Sequence, residues 1–225
     1  MYICYWMNNF NSIYFILAYL SIAFLFLSAI ICLYRFKYTF KHFLFISLLI
    51  FVSIVIEIIS YIMIKYFALS NLLIYNIHTI LELFLISAFY YKNLEGIKLK
   101  KSIIIFYLFF LTYQIIELKI KSKNSLNEVS LIFESLYVIV FTILTFYQIL
   151  HKKFQKNLFD SSIFWFNSAF LIYFSGNLFI YLFSSFLNNY YKIVFHEMWG
   201  YHSILSIILY SLISIGFWKT KPSQI

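Results

Sequence analysis

Long apolar runs alternate along this chain with short clusters of Lys, Arg and Asn. Crossing a bilayer takes about 20 consecutive apolar residues, whereas a helix of a soluble protein averages about 10 to 14. The runs meet the longer requirement and predict seven helices, over residues 11–34, 43–67, 71–91, 102–119, 126–150, 162–188 and 193–218. The fourth is the shortest, and it carries Glu117 near its end, where the side chain is placed to reach the membrane interface. Continuous stretches such as IVFTILTFYQIL lack the two-residue alternation of barrel strands. The fold class is therefore all-α: a single domain over residues 1–225, a polytopic bundle of seven transmembrane helices.

Composition strengthens this reading. Hydrophobic residues make up 64% of the chain and charged residues 11%, with a mean hydropathy of +0.88, outside the range of ordinary soluble domains. The net charge of +9 does not point to nucleic acid, because the Lys residues cluster between apolar runs and form no basic face. They report topology instead. Arg35, Lys37, Lys41, Lys92, Lys98, Lys100, Lys101, Lys152, Lys153, Lys156, Lys219 and Lys221 fall on one side of the predicted layout, and Lys65, Lys119, Lys121, Lys123 and Lys192 on the other. The bias places the amino terminus outside and the carboxyl terminus in the cytoplasm, in a cytoplasmic (plasma) membrane. Juxtamembrane Lys also draws anionic lipid headgroups, so membrane lipids are expected partners, and nothing in the chain marks a protein partner.

The first ten residues hold no Lys or Arg, and no small-residue cleavage site follows the first apolar run, so no cleaved signal is expected. Cys4 and Cys32 are too few for a thiolate metal site or a disulfide framework and read as apolar filler. With four Gly and one Pro, Pro222 lying beyond the last span, the broken helices of secondary transporters have no counterpart here. His78-Thr79-Ile80-Leu81 and His202-Ser203-Ile204-Leu205 echo one another in the third and seventh spans, as a three-plus-one-plus-three arrangement of repeats would produce.

Against this apolar background a few polar residues stand out. A carboxyl group in hydrocarbon costs a few kcal/mol at least, roughly 2.5 to 3.5 on insertion scales, so it turns toward the protein interior and marks a functional site by default. Glu57, Glu82 and Glu134 lie deep in predicted spans, as do His78 and His202. At about 1.5 Å per residue, Glu57, His78, Glu82, Glu134, His202 and Asn177 lie about 15, 10, 16, 12, 14 and 16 Å from the outer ends of their helices, which is one layer. Asn71, Tyr75, His78 and Glu82 follow the i, i+4, i+7, i+11 stripe of one helix face; Asn127, Ser130 and Glu134 form a second stripe, and Trp199, His202 and Ser206 a third. Facing one another, these stripes would enclose an outward-side polar pocket lined by Glu57, His78, Glu82, Glu134, Asn177 and His202.

Such a pocket suits a sensor-like protein that binds a small polar or cationic ligand. The alternative is a membrane-embedded hydrolase or transferase of lipid metabolism that uses Glu and His as acid and base, although no GxSxG or HExxH motif is present. A transporter ranks third. No cofactor and no metal are expected; were an ion held, His78, Glu82 and His202 are its candidate ligands.

Overall fold

The computed structural model describes residues 12–120, 127–151 and 158–220. Cys4, the amino-terminal segment and the Lys residues at 121, 123, 152, 153, 156 and 221 lie outside the described residues. Seven α-helices follow in chain order: α1 (Ser12–Tyr34), α2 (Phe36–Phe67), α3 (Leu72–Asn93), α4 (Ile97–Ile120), α5 (Glu128–His151), α6 (Ser162–Tyr190) and α7 (Lys192–Trp218), with a short 3₁₀ turn at Leu158–Asp160. All seven are long and apolar enough to cross a membrane, and no strand occurs among the described residues. The spans read from the sequence coincide with them to within a few residues, except at the starts of α2 and α4. Helix α4 begins at Ile97, ahead of the expected 102, because Lys98, Lys100 and Lys101 extend it beyond the apolar core. Helix α2 continues back from 43 to Phe36 through a break at Phe43 (φ −124°, ψ 41°). The interrupted ladder leaves the His42 carbonyl to accept a hydrogen bond from Lys92 Nζ at 3.2 Å.

Short turns force sequential helices to run antiparallel. Helix α2 ends on Ala68 in the left-handed region (φ 50°), and Leu69 N donates back to the Met63 carbonyl at 3.1 Å, so the chain reverses in a few residues. The turn between α3 and α4 is clasped from α5: Gln148 accepts from Glu95 N at 3.0 Å and donates to the Glu95 carbonyl at 2.9 Å.

Neighbour contacts run α1 to α2, α2 to α3, α3 to α5, α5 to α6, α6 to α7 and α7 back to α1, closing a ring of six helices. Helix α4 packs on α3 and α5 from outside this ring. At the end of the bundle that carries Arg35, Lys92 and Lys219, here called the basic end, the ring is filled by rings of another kind. Phe166 meets Phe43, Phe217 and Phe89 at centroid distances of 5.0, 5.3 and 6.1 Å, and Phe89 meets Phe170 at 6.1 Å. Edge-on aromatic contacts of this kind add about 0.5 to 1.5 kcal/mol each beyond area burial. Gly216 makes the close approach possible, since a Cβ there would stand 2.5 Å from Phe166. Below this layer Tyr34 stacks on Trp218, and Arg35 lies 5.2 Å from the Tyr38 ring and hydrogen-bonds the Thr220 carbonyl. Lys219 pairs with Asp160 at 3.2 Å.

Candidate functional site

The opposite half of the ring is not filled. A cavity of about 240 Å³ opens there among α1, α2, α3, α5, α6 and α7, and among the described residues none from α4 lines it. Its floor is Leu25 and Phe174, which also belong to the buried cluster beneath. Glu57, His78, Glu82, Glu134 and His202, carried by α2, α3, α5 and α7, all line it. The stripes account for this. On α3 the positions Asn71, Tyr75, His78 and Glu82 face the cavity together, and on α7 so do Trp199, His202 and Ser206.

Each polar group is held by neighbours. His78 sits between Glu82, 3.4 Å from Nδ1, and Ser53, whose Oγ is 3.3 Å from Nε2. One neutral tautomer satisfies both: Nδ1–H donates to the carboxyl and Nε2 accepts from the hydroxyl. Tyr75 donates from its hydroxyl to Glu57 Oε1 at 3.5 Å. Glu82 and Glu134 are electrostatic neighbours across the boundary between α3 and α5. Glu134 is only 3% exposed, and its Oε1 accepts no hydrogen bond from the described residues.

Asn177 departs from expectation. It is fully buried and does not line the cavity; it acts one layer behind, where its Oδ1 lies 2.7 Å from His202 Nδ1 and its Nδ2 donates to the Tyr173 carbonyl at 3.0 Å. The amide orientation makes Nδ1 the donor, which leaves Nε2 of a neutral His202 as an acceptor. Both histidines thus lean on the preceding helix at the same separation of 25 residues.

The stripe on α5 splits. Glu134 faces the cavity, but Asn127 and Ser130 turn toward α4 and α3. Asn127 donates to Gln114 Oε1 at 3.2 Å and, through its backbone N–H, to Asn76 Oδ1 at 3.4 Å. Ser130 donates to Glu117 Oε2 at 2.9 Å. Glu117 is therefore 7% exposed inside a polar clasp and does not reach toward an interface. A helix outside the ring cannot be held by core packing alone, and this clasp supplies hydrogen bonds where α4 meets α5.

Residues that the spacing argument did not single out complete the walls: Tyr14, Ser53, Tyr173, Tyr181 and Tyr210. A signal existed in part, since Tyr173, Asn177 and Tyr181 are spaced i, i+4, i+8 and Tyr210 extends the α7 stripe. With aromatic residues at 24% of the chain, such spacings arise everywhere and carried little weight. Tyr14 of α1 packs against Gly200 of α7, where any side chain would displace its ring. Among the described residues no three His, Cys, Asp or Glu side chains converge as a metal-ligand group; His78 and Glu82 adjoin one another without a third. Comparison with protein-family models, with curated proteins and with solved structures gave no match, so the functional reading rests on the geometry of this cavity.

Proposed function

We propose that the chain is a multipass protein of the cytoplasmic membrane, amino terminus outside and carboxyl terminus inside, whose cavity binds a small polar ligand in a sensor-like role. The observation that carries this reading is the gathering of Glu57, His78, Glu82, Glu134 and His202 from four helices around one unfilled space. Helices with such groups gain nothing from exposing them to lipid, and burying them around a void makes sense when something fills it. The exterior agrees with membrane residence: large apolar side chains such as Ile16, Phe26, Ile105, Phe109, Val140 and Phe183 stand exposed along the helices. Clustering of Arg and Lys at the basic end supports this orientation, in which the cavity faces the outer side. The aromatic layer beneath the cavity counts against a path through the bundle, hence against transport.

Ligand that binds only the folded state stabilises it by about 2.7 kcal/mol at a hundredfold excess over Kd. The test is thermal melting of purified protein against a panel of small polar molecules, with the variants Glu57→Gln and Glu82→Gln alongside. A compound that raises Tm in the wild type and not in either variant supports the reading; a panel that shifts wild type and variants alike removes it.

A second reading has one specific observation in its favour. Glu82 and Glu134, from helices far apart in sequence, line the same cavity within electrostatic reach of one another, and neighbouring carboxyl groups in differing surroundings can divide the acid and base roles. A lipid hydrolase or transferase would then lose turnover in Glu82→Gln while its melting temperature stayed put.

A further inference from the structure

We infer that the cavity selects an organic ammonium ion, an amine or quaternary ammonium bearing a short apolar group. The inference rests on the ligand-binding reading above and specifies the chemistry of the same site.

Sign of charge is the first argument. Three carboxyl groups, Glu57, Glu82 and Glu134, line the cavity, and among the described residues no Lys or Arg does. The imidazoles of His78 and His202 need no positive charge to make their hydrogen bonds to Ser53, Glu82 and Asn177. An anion would therefore find carboxyl groups and dipoles there and no fixed positive charge among the described residues. Aromatic walls are the second argument. Tyr75, Tyr173, Tyr181, Tyr210 and Trp199 line the cavity from α3, α6 and α7, with the Trp199 and Tyr173 rings set 5.7 and 5.9 Å from the His202 ring. Ring faces attract cations, and cages of such rings recognise alkylated ammonium groups in particular.

Shape separates an organic cation from a metal ion. About 240 Å³ far exceeds what a bare ion fills, and no convergent set of three ligands is present among the described residues. Ile22, Leu25, Ile56 and Phe174 add apolar wall, which an alkyl or aryl group would cover. Glu134 lines the cavity beside Glu82, so its carboxyl group stands at the wall that the charged end would approach.

The experiment compares charge at constant shape. Affinities of purified full-length protein are measured for choline, for phenethylammonium and for 3,3-dimethylbutan-1-ol, the neutral isostere of choline. At least one of the two cations is expected to bind about tenfold or more tightly than the alcohol, and Glu134→Gln, which keeps the volume, should erase most of that difference. If Glu134→Gln does not fold, Glu57→Gln provides the same comparison at a less buried position. Alcohol binding as tight as that of both cations would overturn the ammonium assignment while leaving a small-ligand site in place. Failure of all three probes overturns the assignment as well, and the broader panel above then decides the ligand-binding reading by itself. Preference for cations that survives unchanged in both Gln variants also overturns it, because the carboxyl groups would then not be the cause.

Discussion

The two halves of the helix ring use the same residue types in opposite ways. At the basic end, Phe43, Phe89, Phe166, Phe170 and Phe217 are buried and pack ring against ring, and Gly216 lets α6 and α7 close onto them. Toward the other end the same helices carry Tyr, Glu and His, and a cavity remains. Phenylalanine rings can satisfy one another and so collapse. Tyrosine, histidine and glutamate each bring a polar atom that must keep a partner, and the partners hold their helices at fixed separations. Tyr90 shows the transition: its ring packs 6.1 Å from Phe141, while its hydroxyl meets Thr142 Oγ1 at 2.6 Å and Asn167 Oδ1 at 3.2 Å. A rigid floor and a polar chamber above it are what a small-molecule site in a helical bundle needs.

The sharpest way to break this contrast is chemical access. In a background with Cys4 and Cys32 replaced by Ser, Ser206→Cys should react fully with a small water-soluble thiol reagent, and Ala169→Cys, fully buried within the aromatic cluster, should stay unmodified. Equal labelling of the two would erase the distinction between chamber and floor. Next in size is the floor itself. Phe166→Ala removes a fully buried ring with three aromatic neighbours and should cost about 3 to 5 kcal/mol in reversible unfolding. A loss below about 1 kcal/mol would mean that the layer is loosely packed. The smallest effect is expected at the periphery, where Ser130→Ala breaks the bond to Glu117 and should cost about 0.6 kcal/mol. Since α4 contributes nothing to the cavity walls, labelling at Ser206→Cys should be unchanged by that substitution; altered labelling would show that α4 communicates with the chamber.

Much of this arrangement was legible beforehand, and the exceptions have physical causes. Stripes on α3 and α7 pointed to the cavity face because a single helix fixes the mutual directions of its own side chains. On α5 the same logic grouped Asn127 and Ser130 with Glu134, yet a polar face says only that lipid is avoided. Which polar neighbour receives it depends on α4, whose Gln114 and Glu117 offered Asn127 and Ser130 a nearer partner. Asn177 was placed at the correct depth and one step too far forward, since depth along an axis does not report rotation about it. Depth also missed Tyr173, Tyr181 and Tyr210, which in so aromatic a chain could equally have faced lipid.

The order of residues along the chain was enough to determine seven apolar helices, their limits apart from the starts of α2 and α4, and a shared layer for the costly side chains, because helix rise and hydrocarbon avoidance are local or one-dimensional constraints. Tertiary structure alone decided that six helices close a ring with α4 outside it, that Asn177 supports His202 from behind, and that Glu82 and Glu134 become electrostatic neighbours. Those facts turn on rotation and neighbour choice among near-equivalent apolar surfaces. Only the packing of the whole bundle distinguishes between them.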